Sequence, residues 1–170
     1  YLDRELEHLF EELDTRGLLD RTVVIVTSDH GEQFGEKEQV AHGNSLDYAV
    51  LHVPLVMWGP GVPAGVRVDE PVSIRDIPAT VLDLVHAAKE RQLPGSALSR
   101  FWNAESLAGT EQTEFVYAGV TGRSWLPDDR ERQYGNLVAA FGGDLRYGRY
   151  GEQADESLFD IARDPWEHEN

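Results

Sequence analysis

Apolar residues recur at the start of the chain with the spacing of one helical face. Leu2, Leu6, Leu9, Phe10 and Leu13 alternate with Glu, Asp and Arg residues on the other face. The pattern predicts an amphipathic helix of about four turns at 3.6 residues per turn. Gly17 follows as a C-terminal cap, since glycine accepts the left-handed conformation that often closes a helix. Leu18 and Leu19 then pack back toward the core. The run Thr22-Val23-Val24-Ile25-Val26-Thr27 is β-branched throughout and predicts a strand buried on both faces, as in a parallel sheet beneath helices.

Residues 29–50 are largely polar and contain Gly31, Gly35 and Gly43. Connections this long in compact domains are often functional. Val53-Pro54-Leu55-Val56-Met57-Trp58 reads as a second buried strand, ended by the turn Gly59-Pro60-Gly61. Ile77, Val81, Leu82, Leu84 and Val85 form a further helical stripe that starts near Ser73 or Asp76. Beyond about residue 90 the pattern changes. Short strands are predicted at Phe115–Val120, Leu137–Phe141, Leu145–Tyr150 and Ser157–Ile161, separated by polar turns as in an antiparallel meander. The chain therefore reads as an α/β fold: part of an α/β/α sandwich with a mixed or parallel sheet over residues 1–94, and a small α+β subregion over 95–170 containing an antiparallel sheet.

Composition narrows the function. The 170 residues carry a net charge of −16. The pI is about 4.6. No basic stripe of the kind a nucleic-acid binder needs is present. Lys37 and Lys89 are the only lysines. An acidic excess with so little lysine resembles proteins of high-salt surroundings, where salt screens surface self-repulsion; a merely acidic protein is the plain alternative. The chain has no cysteine, which excludes disulfides and thiolate metal sites within it. It contains no apolar run near the roughly 20 residues of a membrane helix. It begins at Tyr1, inside a helical pattern, which suggests part of a longer protein and leaves the compartment open.

The chemistry-bearing stretch is Thr27-Ser28-Asp29-His30-Gly31-Glu32, directly after a predicted strand. In open α/β sheets ligands bind beyond that end of the strands. Asp29 offers an anionic oxygen and His30 an imidazole nitrogen, a pair able to hold Zn or Mn and less typically Ca. Two adjacent ligands do not complete a metal shell. Gly31 lets the backbone turn sharply there. His42, in the same loop, can return toward the pair and bind a tetrahedral anion or protonate a leaving oxygen. Asp-His-Gly by itself is also a common turn composition. Glu32, Glu36 and Glu38 read most simply as a solvated loop, with Glu32 the nearest to the site. His8 reads as solvated, His52 as structural, His86 as a helix-terminal residue suited to the dipole, and His168 as part of a polar tail. Trp58, Trp102, Trp125 and Trp166 read as packing residues.

Five segments, in order, resemble the sulfatases and, more widely, the alkaline-phosphatase superfamily. They are YLDRELEHLFEELDTRGLL (1–19), TVVIVTSDHGEQFGE (22–36), HVPLVMWGPGVPAG (52–65), PVSIRDIPATVLDL (71–84) and SLFDIARDPWEHEN (157–170). The resemblance spans nearly the whole chain and is weakest over residues 95–150. It implies that Asp29 and His30 ligate a divalent metal, and that His42 faces the sulfate or phosphate group or protonates its leaving oxygen. Many sulfatases carry Lys at the last position. The family's Cys/Ser-x-Pro-x-Arg nucleophile motif is absent from the chain, and Ser96-Ala97-Leu98-Ser99-Arg100 does not match it. The expected function is thus that of the C-terminal part of a sulfuric-ester hydrolase, its nucleophile and remaining carboxylate ligands lying in an N-terminal half. A phosphonate or phosphodiester hydrolase, or a phosphoethanolamine-type transferase, is the alternative within the superfamily. A non-catalytic binding or packing domain is the alternative outside it. A sheet cut in this way would expose an apolar face and favour oligomerisation or aggregation.

Overall fold

The computed structural model describes residues 1–43, 45–87, 93–103, 115–120, 136–151 and 155–170. These group into two compact units, Tyr1–Thr27 with Pro54–Val68 and Arg75–Gly109, and Ser28–Val53 with Asp69–Ile74 and Thr110–Asn170. The loop that follows the first strand thus belongs with the C-terminal sheet. Residues 93–103 belong with the first unit.

In the first unit, helix α1 covers Leu2–Thr15. Gly17 sits at φ +62°, its N–H bonded to the Asp14 carbonyl while the Leu18 N–H bonds Leu13. This double closure is the Schellman motif, and it satisfies carbonyls the helix end would otherwise leave open. Leu6, Phe10 and Leu13 are half-buried, and the Phe10 ring meets Trp58 edge-on at 6.3 Å. Strand β1 is Val24–Thr27, and β4 is Leu55–Trp58. They pair antiparallel, Val24 opposite Trp58 and Thr27 opposite Leu55. The β-branched run reads as a strand of a mixed or parallel sheet buried on both faces. Its residues Val24, Ile25 and Val26 are instead half-buried. Branching at Cβ reports a strand that packs its side chains, not the direction of its neighbour. Pro54 has no N–H to give a ladder, and β4 starts just after it.

Helix α3 covers Ile77–Leu84, with Asp76 at its N-cap position. The Asp76 carboxylate turns away from the helix and accepts from the Ser96 N–H at 3.0 Å and from Arg100 at 3.1 Å. The Thr80 hydroxyl, fully buried, donates to the Asp76 carbonyl and accepts the Leu98 N–H. These bonds fasten residues 95–101 to the helix. His86 ends α3 in the left-handed conformation, its N–H on Asp83.

In the second unit, strands β5 (Val116–Val120), β6 (Leu137–Gly142), β7 (Leu145–Tyr150) and β8 (Asp155–Asp160) form an antiparallel meander in sequence order. The alternation in β6 puts Leu137, Ala139 and Phe141 inward. Leu46 joins them in the core, with Tyr48 and Leu51 of helix α2 (Tyr48–Leu51) packed against it. Gly143-Asp144 make the two-residue turn between β6 and β7. Trp125 lies outside the described residues. Among the described residues, no helix is long and apolar enough to cross a membrane.

Arg146 stands on the inward face of β7 and is fully buried. Its guanidinium occupies the space over Gly148, where any Cβ would collide with it. It donates to Ser157 Oγ (3.2 Å), the Leu46 carbonyl (2.6 Å) and the Tyr150 hydroxyl (2.6 Å), and its Nε is ion-paired with Glu167 at 3.2 Å. Tyr150 in turn donates to Asp47. Burial, reinforced by the Asp47 charge and opposed by Arg146, pushes the Tyr150 phenol up from 10.0 to about 12. A group whose pKa is raised on folding contributes stability in full below its unfolded value and loses it as pH rises through the folded one. Alkaline spectrophotometric titration should therefore show a phenol ionising near 12 that disappears in Tyr150→Phe. Superimposable titrations of the two proteins would contradict this.

Candidate functional site

Asp29 and His30 follow β1 by two and three residues, as the strand-then-loop pattern predicts. Ser28 shapes this corner by donating from Oγ to the His30 carbonyl at 2.7 Å. The His30 N–H donates to Asp29 Oδ1 at 3.1 Å, which holds the carboxylate beside the imidazole. His30 Nδ1 lies 2.8 Å from the Gly31 carbonyl. Only a protonated Nδ1 can bond there, so in the neutral ring the lone pair belongs to Nε2. Nε2 and Asp29 Oδ2 are 3.7 Å apart, and the Asp29 side chain is 86% exposed.

This arrangement suits a metal ligand pair. A ligating imidazole characteristically donates its other N–H to a backbone carbonyl, which fixes tautomer and orientation. One carboxylate and one imidazole that present unprotonated atoms on the same side could hold a divalent cation. They supply only part of a shell. Among the described residues no group of three or more His, Asp or Glu is placed to hold a metal.

Gly31 contributes through space and not through a left-handed turn. A Cβ there would fall on the Ala49 carbonyl oxygen, and the Gly31 N–H donates to the Val50 carbonyl at 2.7 Å. The backbone just after Asp29 and His30 is thereby clamped to α2.

His42 does return to the Asp-His pair. Strands β2 (Gln33–Phe34) and β3 (Val40–Ala41) form a short hairpin with Gln33 opposite Ala41. Extending that register by one residue sets Glu32 opposite His42. His42 Nδ1 is 3.2 Å from both Glu32 carboxylate oxygens. The imidazole stacks on His30 with ring centroids 3.9 Å apart and planes tilted by 31°. With Nδ1–H committed to Glu32, the neutral His42 carries its lone pair on Nε2, and the protonated ring carries a second N–H there. Glu32 is therefore the residue that pattern reading undervalued. Its signal was the hairpin: a glycine turn flanked by the Phe34 and Val40 pair, with Glu32 and His42 one step beyond.

Two further histidines have local partners of their own. His8 pairs with Glu11 on an exposed helix face at 3.5 Å. His52 stacks on Tyr48 at 4.5 Å, a packing role. Glu36 accepts the Phe34 N–H at 2.6 Å and braces the hairpin turn.

Comparison with known proteins adds an independent line. The family model described as Sulfatase matches residues 1–87. Arylsulfatase K of Canis lupus familiaris is 31% identical over 177 residues, an alignment that covers 99% of this chain and 31% of that protein. The choline-sulfatase of Rhizobium meliloti is 31% identical over 173 residues, covering 100% of this chain and 31% of the relative. Among solved structures, the phosphonate monoester hydrolase of Agrobacterium radiobacter superposes with a TM-score of 0.77 at 26% identity, over 99% of this chain and 34% of that one. The chain thus spans about a third of the length of the relatives it matches, and its fold is the α/β fold of that superfamily with a small antiparallel sheet. The family match over half of the chain, in the same residues that hold Asp29, His30 and His42, means that this chain belongs to the sulfatase family.

Proposed function

We propose that this chain is the C-terminal part of a metal-dependent sulfuric-ester hydrolase. The observation that carries the reading is the paired orientation of the two histidines: His30 has Nδ1 tied to the Gly31 carbonyl, and His42 has Nδ1 tied to Glu32. Each imidazole is held in one tautomer by a partner on its far side. That is how a ligand and an acid–base group are prepared, and a solvated turn has no need of it.

In this reading Asp29 and His30 hold a divalent cation together with ligands from outside the chain. When bound, that cation supplies Lewis-acid polarisation of a substrate oxygen. A carboxylate with an imidazole favours Zn or Mn over Ca, which prefers an all-oxygen shell. Ser28 and Gly31 set the backbone so that both donors keep one orientation. His42 faces the ester. Protonated, it donates from Nε2 to a tetrahedral anion or delivers that proton to the leaving oxygen. Glu32 keeps that ring aligned. The attacking nucleophile comes from a segment outside this chain, which has neither cysteine nor the Cys/Ser-x-Pro-x-Arg motif.

A second reading has two observations in its favour. A phosphonate monoester hydrolase shares the fold over 99% of this chain, and a histidine stands at position 42 where many sulfatases have lysine. Phosphonate or phosphodiester hydrolysis would use the same residues in the same roles.

Replacing Asp29 or His30 by Ala in the protein expressed from its complete reading frame should lower divalent-metal affinity by more than about tenfold, read by competition with a chelator. Unchanged metal content in both variants would remove the assignment. Gly31→Ala should destabilise the protein by about 1–3 kcal/mol in denaturant unfolding, because the Ala49 carbonyl occupies the space of the new methyl group. The 170-residue chain by itself should show no turnover of sulfate or phosphate esters. Robust activity from it would mean that the nucleophile lies within these residues.

A further inference from the structure

The loop that carries His42 is short of support of its own. Strands β2 and β3 contribute two residues each, and a ladder of that size has little stability in water. Lys37, Glu38 and Ala41 all sit at positive φ, between 51° and 71°. Non-glycine residues in that region cost of order 1–3 kcal/mol each and persist where their surroundings over-determine them.

What over-determines them is a set of four alternating charges, of which Asp47, Arg146 and Glu167 are buried and Lys37 reaches in from an exposed position. Lys37 Nζ, at the centre of the loop, lies 2.8 Å from Glu167 Oε2 and 3.2 Å from Asp47 Oδ1. Arg146 on β7 pairs with Glu167 through Nε at 3.2 Å and with Asp47 through a terminal nitrogen at 3.7 Å. The set is two cations and two anions, with no net charge. Glu167 also accepts the Tyr48 N–H at 3.2 Å, and Asp47 accepts from Gln33, buried on β2, at 3.2 Å. Gln33 stands three residues after His30, and opposite it is Ala41, which precedes His42. Asp47 is buried, and that alone would raise its carboxyl, but Lys37, Tyr150 and Arg146 together hold it below its ordinary value. Burial pushes Glu167 up, against Lys37 and Arg146.

We propose that Lys37, Asp47, Arg146 and Glu167 form a positioning network whose function is to hold the strained 33–42 hairpin, and so keep the His42 ring stacked over His30. None of the four touches the candidate metal pair. They act through Gln33 and the Lys37 backbone, which fix where the hairpin lies. The proposal rests on the reading of His42 as the group that serves the ester oxygen, but its structural half stands without that reading. Charge on Lys37 should matter more than its shape, since Nζ alone reaches both carboxylates.

The test uses the protein expressed from its complete reading frame. Amide hydrogen exchange is measured for Lys37→Met, Lys37→Arg and Glu167→Gln. Lys37→Met should speed exchange of residues 33–42 by about tenfold or more while the amides of β6 and β7 keep their protection. Lys37→Arg should restore most of it. Sulfate-ester kinetics on the same variants should show kcat falling by about tenfold in Lys37→Met with KM changed less than about threefold, the split expected when an aligned group is lost and binding is kept. Glu167→Gln keeps the shape of the side chain and removes one anion, and it should reproduce the loop-exchange effect. Equal acceleration in loop and sheet would reduce the network to general stability and overturn the proposal. So would wild-type loop exchange in Lys37→Met. Accelerated loop exchange with unchanged kcat would retain the network as an anchor and instead remove His42 from the chemistry, which separates the two readings.

Discussion

A guanidinium buried against the apolar face of a sheet has to be neutralised where it lies, because bringing a charge out of water is costly unless it is paired and hydrogen-bonded. Arg146 imposes that requirement on the second unit. Its position on β7 demands an empty Cβ at Gly148, acceptors at Leu46 and Ser157, and anions at Asp47 and Glu167. Those anions then recruit Lys37 from the loop. The loop before α2, the meander and the turn after Asp164-Pro165 are bound to one another by this single demand for charge balance. The apolar core beside it, Leu46, Leu137, Ala139 and Phe141, supplies burial and the low dielectric that makes the pairing consequential.

The sequence was legible where a pattern repeats within a few residues. The stripe from Leu2 to Leu13, the cap at Gly17 and the alternation through Leu137–Phe141 and Leu145–Tyr150 each report one element by its own period, and each element is found there. What a local pattern does not encode is partner choice. The β-branched run at 22–27 marks a strand, but its antiparallel neighbour Leu55–Trp58 is set by a connection of more than 20 residues whose course no local periodicity dictates. Gly95 and Ser96 pack under α3 because Asp76 turned its carboxylate to them, and Asp76 read by itself is only a helix start.

The candidate site divides in the same way. Asp29 and His30 were legible because they adjoin each other and a strand end. His42 was legible as a histidine in the same loop, and the structure brings it onto His30. Glu32 was not, because in an acidic chain an acidic loop residue carries little information until a hairpin register sets it opposite a histidine. Gly31 was identified for the wrong physical reason: its hydrogen atom faces a carbonyl of α2, so what matters is close approach and not backbone freedom. Lys37 gave no signal at all, since its partners are remote in sequence.

That remoteness has a consequence for the order in which the molecule comes into being. Lys37 and Glu167 are separated by 130 residues, and Arg146 lies 100 residues beyond Leu46. Contacts of such separation close late, because the entropy of the intervening chain must be lost first. During synthesis the hairpin emerges from the ribosome with Asp47 close behind it, but long before Glu167 and Arg146 exist. Throughout that interval one of the two carboxylates that meet Lys37 is missing. The set of charges around Lys37 is therefore completed from the far end of the chain backwards, once the turn that bears Glu167 has been made.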